Sequence, residues 1–90
     1  MTRRVVVTGI GVISSLGLNA ADFWQGLAEG RSGIGPMTLV DHALLRFPNT
    51  AEVKGYNPSQ HFCNKETDFL DRFAQFAVVA AREAVLDSGI

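Results

Sequence analysis

The chain has 90 residues, enough for one small domain and too few for two ordinary ones. Lysine and arginine number 8 against 9 aspartates and glutamates, and a net charge of -1 argues against a nucleic-acid clamp or a polybasic membrane anchor, both of which need a surplus of one sign. At 47% hydrophobic and 19% charged the chain is too apolar for intrinsic disorder, and its single cysteine, Cys63, excludes an internal disulfide framework and fits a reducing, cytoplasmic setting.

Arg3 and Arg4 ahead of Val5, Val6 and Val7 loosely imitate a signal peptide. Gly9 and Gly11 interrupt the apolar stretch, and no small-residue cleavage site follows Gly17. Nor does any apolar run approach the roughly 20 residues of a membrane helix. Arg4 to Thr8 therefore reads as a cytoplasmic strand, stiffened by three successive β-branched residues. Its valines do not alternate with polar residues, which places the strand inside a sheet covered on both faces, as in α/β folds. A glycine-rich loop follows from Gly9 to Gly17. A helix fits Ala20 to Glu29, with Asn19 as N-cap, Asp22 placed as a capping-box acid, Phe23, Trp24 and Leu27 on one face, and Gly30 as its stop.

Arg31 to Pro36 has the composition of a loop. Met37 to Val40 and Ala51 to Lys54 read as short strands around a polar turn containing Phe47, Pro48 and Asn49. Asn57 and Pro58 suit the cap and first position of a short helix reaching His61 or Phe62. Thr67 to Ser88 reads as one long helix closed by Gly89, with Asp68 and Arg72 paired across one turn. Between Phe73 and Ala81 only Gln75 is polar, so burial on more than one side is expected. Ala77, Ala80, Ala81 and Ala84 would let another backbone come close. A doubly covered strand and a multiply buried helix need more layers than 90 residues supply, so residues 1–90 read as an incomplete, N-terminal piece of an α/β domain.

The chemistry-bearing residues are few. Gly9-x-Gly11-x-x-Ser14 after a strand is similar to a dinucleotide fingerprint, but Ser14 replaces the third glycine and the next helix starts late, so a structural glycine turn is the better reading. Ser14 and Ser15 read as turn or cap hydroxyls, since Ile13 stands where a nucleophile elbow needs glycine. His42, His61 and Cys63 do not have zinc-ligand spacing, and no metal or cofactor is expected. Cys63 lacks the flanking pattern of an activated nucleophile. Lys65 near the start of the long helix and Asp87 near its end both oppose the helix dipole.

Together, several blocks resemble β-ketoacyl-[acyl-carrier-protein] synthases. They are Arg3 to Ser14 with Gly17; Phe23, Trp24, Leu27, Gly30, Ser32, Gly33 and Ile34; Leu70 to Ala77; and Ala84 with Asp87 to Ile90. The resemblance runs through nearly the whole chain. It implies a thiolase-like fold, with residues 1–90 forming the N-terminal part of the first of two βαβαβαββ halves, usually in a homodimer. It also implies decarboxylative condensation of an acyl thioester with malonyl-acyl carrier protein, in fatty acid or polyketide synthesis, with a cysteine nucleophile and two histidines. Those three lie beyond this stretch in the family, so no catalytic residue is assigned: Cys63, His42 and His61 match none of them. Lys65 falls where some members place a basic contact to the carrier protein, while a second basic position of that patch is Asp68 here, and Ser15 replaces a frequent proline. Three other readings stand beside this one: a non-catalytic paralogue serving as partner subunit, a nicotinamide-dependent oxidoreductase fragment resting on the glycine loop, and a small standalone binding module.

Overall fold

The computed structural model describes residues 2–39, 46 and 48–90. The chain forms two compact units, one of Met1–Val12 with Asn57–Ile90 and the other of Ile13–Tyr56.

The second unit is built on α1, Ala20–Ala28. Its first turn is capped as the sequence predicts, with Asn19 Oδ1 accepting from the Asp22 N–H at 2.8 Å. Asp22 does not close a capping box: its carboxylate accepts from the Asn19 side-chain amide at 3.2 Å instead of from the backbone. Gly30 ends the helix in the left-handed region at φ 70°. There its N–H reaches Leu27 O at 3.1 Å and the Arg31 N–H reaches Gly26 O at 2.9 Å, the paired bonds of a Schellman stop. The expected apolar face is only partly covered, since Trp24 and Leu27 are exposed and Phe23 is half-buried.

Two short strands follow, β1 at Gly35–Pro36 and β2 at Asn49–Thr50, paired antiparallel with Gly35 opposite Thr50. Each lies two residues earlier than the strands expected at Met37 to Val40 and Ala51 to Lys54, and β1 takes the end of the expected Arg31 to Pro36 loop. The Glu52 carboxylate explains the shift. It accepts from the N–H groups of Thr38 at 2.6 Å and Leu39 at 3.1 Å, so these donors are occupied and the ladder cannot run through them. Val40 and Phe47 of those expectations lie outside the described residues.

The first unit departs further from expectation. Arg4 to Thr8 forms no strand among the described residues, and Val5, Val6 and Val7 are 92%, 67% and 80% exposed. A strand exists only through ladder bonds to a neighbour, and the sole sheet described is the β1–β2 pair. The strands of a thiolase-like half are accordingly not formed by the described residues. Pro58–Gln60 makes a single 3-10 turn capped by Asn57, whose Oδ1 accepts from the Ser59 N–H at 3.1 Å.

The single helix expected from Thr67 to Ser88 is two helices, α2 at Asn64–Phe69 and α3 at Arg72–Ser88. Asp71 causes the break, because its carboxylate caps the new helix by accepting from the Ala74 N–H at 3.0 Å. Asp68 and Arg72 therefore stand on different helices, not one turn apart on the same one, and the Arg72 guanidinium lies 5.0 Å from the Phe76 ring centroid. Gln75, the one polar residue of its stretch, is among the few buried residues, whereas Phe73 is exposed. Gln75 is buried because it has a partner: its Nε2 donates at 2.8 Å to the carbonyl of Leu70, left open by the break. The expected burial of α3 on several sides is confined to Gln75 and Val79. Gly89 closes α3 at φ 74° as predicted.

Candidate functional site

The best-defined constellation among the described residues is the seating of the glycine segment on α3. A Cβ at Gly9 would fall on the Ala84 carbonyl oxygen, with Ser88 N at 2.7 Å. One at Gly11 would fall on the Ala80 carbonyl oxygen, with Ala84 N at 2.9 Å. Only glycine allows this approach, and Ala80 and Ala84 supply the small surface opposite, as the alanine spacing suggests. The segment runs antiparallel to the helix, residues 9 and 11 matching 84–88 and 80–84. Two residues of nearly extended chain cover about 6.6 Å and four helical residues about 6 Å, so glycine at every second position meets alanine at every fourth in register.

The same register serves the polar groups. The Ile10 N–H donates to Asp87 Oδ2 at 3.0 Å and the Val12 N–H to Glu83 Oε1 at 2.8 Å. Glu83 and Asp87 are one turn apart on α3, as Ile10 and Val12 are two residues apart on the segment. Asp87 opposes the dipole of its own helix, and the Ile10 N–H is the compensation that sequence spacing did not reveal.

The second cluster centres on Arg82. Its guanidinium stacks 4.8 Å from the centroid of the buried Phe62, donates to the His61 carbonyl at 2.9 Å, and stands 4.0 Å from Glu66. Glu66 Oε1 accepts from the Cys63 N–H at 3.1 Å and so caps α2. That backbone N–H, then the Cys63 thiol, and more weakly Arg82 hold the Glu66 carboxyl below its ordinary value of 4.5. Arg82 thus ties the turn before α2 to α3.

These clusters are structural in their chemistry. Ser14 is the turn hydroxyl expected, its Oγ accepting from the Leu16 N–H at 3.1 Å, and Ser15 packs against Gly33. Cys63 is exposed at the α2 cap, and His61 is exposed at the end of the 3-10 turn. His42 lies outside the described residues. Among the described residues no three histidines, cysteines or acids gather as metal ligands, and no helix is long and apolar enough to cross a membrane. Lys65 is the exposed second residue of α2, and Asp68 follows three positions later on the same short helix.

The model of the beta-ketoacyl synthase N-terminal domain matches residues 2–90. The chain is 44% identical over 86 residues to 3-oxoacyl-[acyl-carrier-protein] synthase 2 of Synechocystis sp., covering 96% of this chain and 21% of that protein. It is 48% identical over 91 residues to a putative polyketide beta-ketoacyl synthase 1 of Streptomyces halstedii, covering 100% of this chain and 21% of the relative. Among solved structures, the ishigamide ketosynthase/chain length factor superposes with a TM-score of 0.86 at 41% identity, over 98% of this chain and 22% of that one. The chain thus spans about a fifth of the length of these relatives, and it shares the ketosynthase fold over that part. With the family model matched across residues 2–90, the chain belongs to the beta-ketoacyl synthase family.

Proposed function

We propose that residues 1–90 are the N-terminal part of a β-ketoacyl-[acyl-carrier-protein] synthase, lying within the first βαβαβαββ half of a thiolase-like fold. The whole enzyme joins an acyl group to malonyl-acyl carrier protein in fatty acid or polyketide synthesis, in the cytoplasm and as a homodimer. A cysteine thiolate takes the acyl group from its thioester and releases the carrier thiol. Loss of carbon dioxide from the malonyl group then gives a carbanion that attacks the acyl-enzyme carbonyl, forming the carbon–carbon bond and freeing the thiolate. Two histidines assist those steps. None of the three is assigned within residues 1–90, whose part is scaffold: the glycine segment locked on α3. Lys65 is the carrier-protein contact in this reading, an exposed cation suited to an acidic partner.

The observation that carries the proposal is the family match over residues 2–90, with relatives named as a 3-oxoacyl-[acyl-carrier-protein] synthase and a putative polyketide beta-ketoacyl synthase. A second reading is favoured by the likeness to the ishigamide ketosynthase/chain length factor: the chain would then belong to a non-catalytic partner subunit. The test is to read the coding sequence past Ile90 and assay the full-length product with acyl- and malonyl-loaded carrier protein. A downstream cysteine at a strand-to-helix turn, two later histidines, and release of carbon dioxide with a β-ketoacyl product are expected. Another residue in place of that cysteine, with condensation only after an active synthase is added, would replace the proposal by the partner reading.

A further inference from the structure

We draw no further inference here: the strongest candidate, the groove on α3 lined by Val78, Ala81, Arg82, Val85 and Leu86, is a largely apolar helix face and nothing in the structure shows what covers it.

Discussion

Replacing Gly11 by alanine tests the central packing feature of the chain. The added methyl would fall on the Ala80 carbonyl oxygen, 2.8 Å from the carbonyl carbon and 2.9 Å from Ala84 N. All three atoms are helix backbone and cannot turn aside as a side chain would, so the segment must lift. Overpacking of this kind costs about 1–3 kcal/mol. Lifting also stretches the 2.8 Å bond from Val12 to Glu83, a further loss of about 1 kcal/mol. The expected destabilisation is about 2–4 kcal/mol, or a urea midpoint lowered by about 1 M or more at ordinary m values. Gly35→Ala is the control: nothing lies within 4 Å of where its Cβ would sit and its φ is not positive, so the change should be neutral or stabilising by up to about 1 kcal/mol. The assay is urea unfolding of the intact protein, followed by circular dichroism with both variants side by side. Gly11→Ala unfolding within about 0.5 kcal/mol of Gly35→Ala would refute the close seating of the segment on α3.

Other positions give independent expectations. Arg82→Met removes the stacking on Phe62 and the donation to His61 O, and should cost about 1–2 kcal/mol in the same unfolding assay. A double-mutant cycle between Arg82 and Glu66 should return under about 0.5 kcal/mol, because the pair is 4.0 Å apart and half exposed. Gly89→Ala forces a Cβ into the left-handed region at φ 74° and should cost about 1 kcal/mol, with Gly89→Asn costing less. Because the folded pKa of Glu66 is depressed, its carboxylate favours the native state above the unfolded value of 4.5, and that contribution is lost as pH falls through the folded value. Glu66→Gln should therefore differ from the parent at neutral pH and converge with it in acid; an unchanged difference down the acid limb would refute the assignment. On the proposed carrier contact, Lys65→Glu in the full-length protein should lower kcat/KM severalfold with carrier-bound substrate and leave a small pantetheine thioester unaffected.

What could be read from the sequence divides along a physical line. Features fixed by local backbone needs were legible: the Asn19 cap, the stops at Gly30 and Gly89, and the turn at Pro58. Features decided by competition between two local signals were not. The periodicity from Thr67 to Ser88 is continuous, yet Asp71 serves as a cap inside it, and capping three residues back from Ala74 outweighs one more helical turn through Leu70. Gln75 then takes the open carbonyl, so the polar residue of an apolar stretch becomes one of its buried members. The strand at Arg4 to Thr8 failed for a different reason, since its propensity is local and its ladder is not. Glu52 displaced the short strands by a contact 14 residues away that no periodicity encodes.

The glycine segment shows how geometry separates two functions that spacing leaves open. A dinucleotide site needs free backbone N–H groups aimed at a pyrophosphate from the positive end of a helix. Here the N–H groups of Ile10 and Val12 are both spent, and on carboxylates. The segment lies along residues 80–88 of α3, the C-terminal half, where the helix dipole is negative. A phosphate placed there would meet Glu83, Asp87 and the wrong end of the dipole at once. At about 4 Å each unit of like charge costs about 1 kcal/mol even in bulk water, and more beside a protein surface. The glycines of this chain admit a helix, and the acids that flank the alanines hold the segment where a nucleotide would have to be.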